Sequence, residues 1–343
     1  MKDIYVADLS KFENQAVVSY FSVTNKQLRS RKDGARYLAL TLSDRTGPVE
    51  CRMWENFEGS LDGFRAGDVV KIRGEVSRYN GHFQLTLDKL RRAADGEFEL
   101  ADYVPHTLCD VDELWRVLNH FVDSFTNTHL KALLHAFLDD EKTAAALREA
   151  PAAKGMHHAW LGGLLEHVVS LLGICDLAAQ HYKDLDRDLL LAGAILHDIG
   201  KIEELRWGTS FDYTVRGQLL GHITIGIGMI ESKLNAMPGF PADLRLLVEH
   251  LVLSHHGRLE FGSPKLPMIP EAIVLHYLDD LDAKMQTMSN EFARHSAQGR
   301  PAAAMTEWVR SMDRPLLKTG DFLNRETEPA ATEPPADEFP AKE

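Results

Sequence analysis

Two hydrophobic periods divide the chain near residue 95. Before that point, apolar and polar residues alternate in short runs, at 37–42, 49–53, 69–76 and 83–87. Alternation with a period of two is typical of half-buried β-strands. Asn80-Gly81 separates the last two runs and indicates a two-residue hairpin turn. At least four short strands in this part of the chain predict a small β-barrel or sandwich.

From about residue 110 the period becomes helical, because Leu, Val and Phe recur at three- and four-residue spacing. We expect helices over 111–122, 129–138, 160–182, 187–205, 217–235, 241–255 and 270–296. The predicted fold class is therefore multidomain, with a small N-terminal β-barrel followed by an all-α helical bundle. We expect the barrel over 1–95, a linker and helical connector over 96–155, the helical domain over 156–318 and a disordered Pro- and Glu-rich tail over 319–343.

Composition and charge narrow the class of protein. The 343 residues are 44% hydrophobic and 26% charged, which is ordinary for a globular protein. We expect a cytoplasmic protein without a membrane partner, since no apolar run approaches the ~20 residues of a bilayer span and the start lacks a signal-peptide core. The net charge of −13 is uneven: residues 1–95 carry 16 Lys and Arg against 13 Asp and Glu, and the remainder carries −16. The N-terminal part could bind a polyanion, although an excess of +3 charges is also compatible with a barrel that binds none.

Histidine and aspartate residues interrupt several apolar helical runs, where unpaired polar groups are costly to bury. The most informative case is His197-Asp198, within the run Ala194–Lys201. A lone histidine in an apolar helix is more often an ordinary core residue than a ligand. Five helices that each bring His or Asp inward point instead to a metal ion. The candidate ligands are His167, His197, Asp198, His222, His255, His256 and Asp279.

The order His, His-Asp, Asp on successive helices resembles the HD-domain phosphohydrolase superfamily, over roughly 155–300. Four residues match its signature positions: His167, His197, Asp198 and Asp279. Asp280 and Asp282 are alternative candidates for the last of these positions, but Asp279 best fits the apolar-Asp-x-apolar pattern.

The extra histidines resemble the subset of that superfamily with two metals, in which the Asp of the His-Asp pair bridges both ions. The resemblance implies one ion on His167, His197 and Asp279. It implies a second ion on His222 and His255, with His256 left open as a further ligand.

Two divalent ions can clamp a phosphodiester, activate water and stabilise the leaving oxygen. Besides Asp198, two residues are candidates for a catalytic role. Lys201 could steady a substrate phosphate, or it could be a solvated cation at a helix end. His158 could protonate or orient the phosphate, or it could only close its loop. The ions are expected to be Mn²⁺ first, with Co, Fe, Ni, Zn and Mg as alternatives.

The run Lys32–Trp54, with Asp44-x-x-Gly47 and the later Gly67-Asp68, resembles an OB-fold of the anticodon-binding type over about 15–92. Strand alternation places three residues on the outer face, where aromatic and cationic side chains bind single strands: Tyr37, Arg52 and Trp54. Trp54 could instead cap the barrel core. A flexible basic loop is expected beside them, and it contains Lys26, Arg29, Arg31 and Lys32.

The combination of an OB-fold with an HD domain, and most specifically the run Pro151–His167, resembles the YhaM-type 3′→5′ exoribonucleases. The resemblance covers nearly the whole chain and implies single-stranded RNA or DNA as substrate. Two alternatives stay open: an HD-domain nucleotide or cyclic-nucleotide phosphohydrolase whose OB-fold is an assembly module, and a non-enzymatic, metal-stabilised RNA-binding protein. Self-association into a homo-oligomer is also left open.

Overall fold

The computed structural model of the chain describes residues 2–31, 34–79, 81–94, 96–154, 160–209, 211–297 and 304–323. Within these residues, the strands of a barrel precede the helices of a bundle. The chain divides into two compact units, Met1–Asp280 and Leu281–Glu343. The first unit contains a β-barrel followed by a helical bundle.

Five strands of the described chain form a closed barrel in the order β1-β2-β3-β5-β4: β1 Ala16–Ser30, β2 Arg36–Asp44, β3 Gly47–Met53, β4 Val69–Tyr79 and β5 His82–Arg92. The parallel pairing of β3 with β5 closes it. Leu38, Leu40 and Leu42 are buried on the inner face of β2, as the alternation predicts. Tyr79 of β4 pairs with His82 of β5, as the hairpin predicted at Asn80-Gly81 requires; Asn80 itself lies outside the described residues.

β1 corrects the expectation of a flexible basic loop. Lys26 and Arg29 lie within this strand, opposite Leu40 and Tyr37 of β2. Arg31 lies beyond its end, and Lys32 lies outside the described residues. The second half of β1 is largely exposed on both faces, so its side chains carry no alternating signal. Backbone pairing with β2 forms the strand there, and that pairing is not visible in a polar sequence.

Helices follow the barrel: α1 Val111–Asp123, α2 Thr128–Leu138, α3 Glu141–Glu149, α4 Gly163–His181, α5 Arg187–Leu196, α6 Lys201–Glu204, α7 Val215–Asn235, α8 Ala242–Ser254 and α9 Pro270–Ala297. A short hairpin, β6 Leu205–Arg206 and β7 Asp212–Tyr213, lies between α6 and α7. Several helices begin at a side chain that accepts hydrogen bonds from the first turn: Asp110, Asn127, Asp140, Asp186 and Thr214.

α5 lies at the centre of the helical bundle. Every residue from Asp188 to Leu196 is buried, and the helix packs against α2, α4 and α8. A helix that is apolar on nearly every face is typical of such a central position. Within the described residues, α4 is the one helix long and apolar enough to cross a membrane; 44% of that segment is buried inside the protein, which is also typical of a core helix.

The segment expected to be a connector contributes to the helical core. Leu118 of α1, Leu133 of α2 and Leu147 of α3 belong to the same buried cluster as Leu164 and Leu190. Their contacts are with the helical bundle because each helix has an apolar face that must be covered. We therefore propose that the helical domain begins with α1.

The helix predicted over 187–205 is broken. α5 ends at Leu196, residues 197–200 form a turn, and α6 follows. At this turn the backbone of α7 passes very close to Gly200: a Cβ there would lie 2.0 Å from the carbonyl oxygen of His222. The turn carries His197 and Asp198 at a point where α5 and α7 meet.

In the second unit, the described residues comprise the end of α9 and residues 304–323. Val309 and Arg314 form a β-bridge, and a short helix, α10, spans Thr319–Phe322. The tail was expected to be disordered from 319, so α10 differs from that expectation. Residues 324–343 lie outside the described part of the chain.

We predict that Gly200→Ala lowers the stability of the protein, because the added Cβ would meet backbone atoms of α7 that cannot move independently. Overpacking of this kind costs about 1–3 kcal/mol, occasionally more. Gly173→Ala in α4 is the matched control: its Cβ would meet no described atom within 4 Å, and Ala in a helix interior is favoured over Gly by about 0.5–1 kcal/mol. Urea denaturation followed by circular dichroism measures both. Equal midpoints for the two variants would contradict the close crossing.

Candidate metal centre and nucleic-acid surface

The first group of candidate ligands comes from three separate elements. His167 of α4, His197 of the turn after α5, and Asp279 of α9 place ligand atoms within 4.8 Å of one another. His167 Nε2 lies 3.2 Å from Asp279 Oδ1 and 3.3 Å from His197 Nε2. His167 and His197 are fully buried. Two imidazole nitrogens facing each other at this distance need a proton or a metal ion between them.

The second group is formed by α7 and the end of α8. His222, His255 and His256 also place ligand atoms within 4.8 Å of one another. His255 is completely buried, and the other two are partly buried. The sequence prediction divided the histidines into the same two sets.

Asp198 lies between the two groups and faces both. Its Oδ2 is 3.3 Å from His197 Nε2, while its Oδ1 is 3.4 Å from His222 Nε2 and 3.7 Å from His255 Nε2. One carboxylate oxygen is therefore directed to each group. This is the arrangement that a bridging ligand between two cations requires.

The histidine rings are oriented by hydrogen bonds from their Nδ1 atoms. His197 Nδ1 donates to the carbonyl oxygen of Ala194, at 2.9 Å, and His255 Nδ1 donates to that of Val252, at 2.7 Å. His256 Nδ1 similarly donates to a backbone carbonyl, at 2.8 Å. Since Nδ1 carries the proton, Nε2 keeps its lone pair for a metal ion.

Unpartnered atoms show that a cation fits this site. Asp198 Oδ1, His222 Nε2 and His255 Nε2 are buried and have no hydrogen-bond partner among the described residues. Leaving a buried polar atom unpaired costs about 1–3 kcal/mol, more for a charged group. Three such atoms converge on one place and all have lone pairs to donate. A divalent cation would satisfy all three.

Lys201 forms an ion pair with the carboxylate of Asp198. Its Nζ lies 2.6 Å from Asp198 Oδ2, and the lysine side chain is only 13% exposed. Burial alone would raise the pKa of Asp198, but Lys201, His197 and His222 hold it well below its usual value. Burial would likewise lower the pKa of Lys201, but Asp198 raises it. The open alternative of a solvated helix-end cation is therefore wrong.

The protonation states of the remaining ligands also suit a metal. Burial, together with neighbouring histidines, holds the pKa of His255 well below its usual value and lowers that of His256. Burial would raise the pKa of Asp279, but His167 and His197 keep it below its normal range. Neutral imidazoles and ionised carboxylates are the forms that bind cations.

Glu204 is a functional candidate that the sequence reasoning missed. Its Oε1 accepts the backbone N–H of His222 at 2.9 Å and lies 3.3 Å from His222 Nδ1. Burial would raise the pKa of Glu204, but His222 lowers it, so the carboxylate is ionised. This contact orients the His222 ring in the way that the backbone carbonyls orient the others. Helical spacing gives no signal for it, because the break at residues 197–200 separates Glu204 from the helix that ends before His197.

A backbone break in α7 permits that contact. Gly221 has φ 70° and ψ 157°, which is not helical. This region of φ and ψ is accessible almost only to glycine. The break leaves the N–H of His222 free to reach Glu204. The predicted helix over 217–235 therefore contains a kink immediately before a candidate ligand.

An Arg–aromatic cluster lies on the outer surface of the barrel. We use this name for Arg31, Tyr37, Arg52, Trp54 and Tyr79. The Tyr37 and Trp54 rings are 4.7 Å apart, and the Arg31 guanidinium lies 4.2 Å from the Trp54 ring centre. Arg52 lies 5.6 Å from the Trp54 ring and 5.5 Å from that of Tyr79. Flat rings beside guanidinium groups form a surface on which bases can stack.

The other predicted binding residues of the barrel differ in position. Lys26 donates to the backbone carbonyls of Leu61 and Phe64, so its ammonium is held against the barrel wall. Arg29 is exposed and donates to the side chain of Gln27. Tyr79 was not predicted; it is 58% exposed at the end of β4, and strand pairing brings it close to Arg52. The predicted catalytic residue His158 lies outside the described residues, and its role stays a prediction.

Two family comparisons match separate parts of the chain. Residues 164–284 match the family described as HD domain, and residues 22–93 match the family described as OB-fold nucleic acid binding domain. The predicted fold class, an OB-type barrel followed by a helical HD domain, is confirmed.

Curated relatives align with both parts at once. The chain is 36% identical over 281 residues to the 3′-5′ exoribonuclease YhaM of Bacillus velezensis, an alignment that covers 82% of this chain and 88% of the relative. It is 34% identical to the protein of the same name from Bacillus subtilis, with the same coverage. A third relative of that name, from Halalkalibacterium halodurans, is 35% identical over 82% of this chain and 87% of its own.

We predict that Glu204→Gln weakens the affinity for Mn²⁺ by about 10–100-fold, the usual cost of losing a carboxylate that orients a histidine ligand. Glu203→Gln is the matched control, because Glu203 is 41% exposed and pairs with Arg216 on the surface. Calorimetric titration of the metal-free proteins with Mn²⁺ measures both affinities. If the two variants bind Mn²⁺ equally well, Glu204 does not support the site.

Proposed function

This chain belongs to the YhaM family of 3′-5′ exoribonucleases, and we infer that it is a metal-dependent nuclease that hydrolyses single-stranded RNA from its 3′ end. The observation that carries this conclusion is the position of Asp198, between two groups of histidines whose free nitrogens converge on it. Phosphodiester hydrolysis is the chemistry that two adjacent divalent ions serve best.

We propose that two ions bind, with Asp198 shared between them. One would be held by His167, His197 and Asp279, and the other by His222, His255 and His256. Such ions polarise phosphoryl oxygens, activate water for attack on phosphorus and stabilise the leaving oxygen. We propose Mn²⁺ as the native ion, since imidazole and carboxylate ligands accept it readily.

The residues of the chain supply the rest of the chemistry. Asp198 and Asp279 keep the centre negative enough to retain cations, while the burial of His197 and His255 limits access of bulk water. Lys201 is the nearby cation, and its Nζ holds a proton beside Asp198. A phosphate oxygen entering the centre can accept a hydrogen bond from this ammonium. Lys201 would thus position the scissile phosphate.

We propose that the Arg–aromatic cluster of the barrel holds the upstream part of the same strand by stacking. The support is the contact of Tyr37 with Trp54, and of Trp54 with Arg31 and Arg52, on the outer surface. Single-stranded DNA as a second substrate and self-association stay predictions. We propose a cytoplasmic location, in keeping with an RNA substrate and with three free cysteines, Cys51, Cys109 and Cys175.

We predict that the purified protein with Mn²⁺ shortens a 5′-labelled single-stranded RNA progressively from its 3′ end, and that EDTA or Asp198→Asn abolishes the reaction. A gel time course measures this. A circular RNA of the same sequence is the matched substrate control, because it has no 3′ end and should persist. Cleavage of the circle would indicate an endonuclease. Hydrolysis of a mononucleotide or cyclic-nucleotide panel without any RNA ladder would favour the alternative of a nucleotide phosphohydrolase.

We predict that Trp54→Ala weakens RNA binding by about 1–3 kcal/mol, the loss expected for one base–aromatic stacking contact. Trp308→Ala is the control, since Trp308 is a 59% exposed tryptophan outside the barrel. Fluorescence anisotropy with labelled RNA, in the Asp198→Asn background, measures both. An unchanged affinity of the Trp54 variant would assign that ring to packing against Tyr37 alone.

A further inference from the structure

The barrel has a second cationic surface, which we call the β4–β5 groove. It is a depression of about 660 Å³, and the exposed Val18 of β1 lies at its side. Four cationic residues line it: Lys71, Arg73, Lys89 and Arg91. Asp88 is the carboxylate in its lining. These residues are distinct from the Arg–aromatic cluster.

The strand register opposes cations directly. Lys71 of β4 lies opposite Arg91 of β5, and Arg73 lies opposite Lys89. Between these two pairs, Ile72 and Leu90 point into the barrel and are buried. Like charges directly opposite on antiparallel strands destabilise a sheet. The arrangement thus costs folding stability unless an anion lies over it.

The protein itself neutralises only one of the two pairs. Arg91 forms two 2.7 Å hydrogen bonds with Glu97, which also lies 3.4 Å from Tyr20. Among the described residues, Arg73 and Lys89 take part in no ion pair, and both are exposed. A pair of opposed, uncompensated cations in a depression is complementary to a chain of phosphates.

We propose that the β4–β5 groove binds the phosphate backbone of the single-stranded RNA, as a second contact besides the Arg–aromatic cluster. This inference rests on the proposed function. Tyr20 is the aromatic residue beside the groove, and it is partly buried with the Lys71 ammonium 4.9 Å from its ring, so the contact is with phosphates rather than by base stacking. Arg73 and Tyr79 are six residues apart on β4, about 20 Å along the strand. Only an RNA long enough to span that distance can contact both surfaces.

The test is the salt dependence of RNA binding by the full chain. We compare Asp198→Asn alone with the same background carrying R73Q and K89Q. The slope of log K against log salt is negative, and each lost phosphate contact lowers its magnitude by about 0.7 for a single strand, so with a long RNA we expect a magnitude lower by about 1.4. An RNA too short to reach both surfaces should bind mainly at the Arg–aromatic cluster. With such an RNA we expect nearly the same slope for both proteins.

The matched control is K142Q with K183Q, which removes the same charge at two exposed lysines of the helical part. If this control lowers the magnitude of the slope as much as R73Q with K89Q, net charge alone explains the effect and the groove is overturned. An unchanged slope in the protein with R73Q and K89Q also overturns the proposal that the groove binds RNA. An acidic protein surface would then be the partner that fits the groove.

A parallel assay separates this inference from the proposed function. Without the Asp198→Asn change, the protein with R73Q and K89Q should hydrolyse bis-p-nitrophenyl phosphate at the unaltered rate, because neither residue belongs to the candidate metal centre and this small substrate has no upstream phosphates to contact the groove. A 3′→5′ RNA ladder from the unmodified protein together with an unchanged salt slope refutes the groove and leaves the nuclease intact. A lowered magnitude of the slope without any ladder supports the groove and refutes the nuclease.

Discussion

The buried carboxylate of Asp198 is the constraint on which the helical part of this protein depends. A charge removed from water is tolerated only when opposite charges or polar groups lie beside it. Lys201 supplies an ion pair at 2.6 Å and His197 lies on the same turn, while the imidazoles of His222 and His255 approach from α7 and from the end of α8. The turn after α5, α7 and α8 must therefore meet at one point.

Close backbone crossings make that meeting possible. α5 has to end at Leu196 so that His197 and Asp198 lie on a turn, and α7 has to pass within reach of this turn. Gly200 provides the space, and Gly221 provides the non-helical backbone that directs the N–H of His222 to Glu204. The crossings bring unpartnered nitrogen and oxygen atoms together in the interior, which would destabilise an ordinary core. Here the lone pairs of these atoms are available to cations.

The division of charge along the chain has a similar physical logic. The helical part is acidic overall and retains cations, whereas the barrel has a small cationic excess. On the barrel those cations are not spread evenly. Some contact the rings of Trp54 and Tyr79, and others oppose one another across β4 and β5. This separation suits a nuclease that holds one strand while cutting its end, because the acidic helical part by itself would repel RNA.

The sequence by itself determined the two-part fold, because the hydrophobic period changes from two to 3.6. It also indicated the candidate metal ligands, because unpaired His and Asp side chains on several apolar helices are costly to bury. Only the tertiary structure decided which residues support those ligands. Glu204 could not be distinguished from its neighbour Glu203 by composition, since the chain path at the turn decides which one faces His222. The exposed half of β1 and the opposed cations of β4 and β5 were likewise invisible. The hydrophobic pattern and the hairpin turn set the register of β4 with β5 close to the turn. The shift between Arg73 and Gly74 then decides that Arg73 faces Lys89, and the polar end of β1 contains no record of its partner.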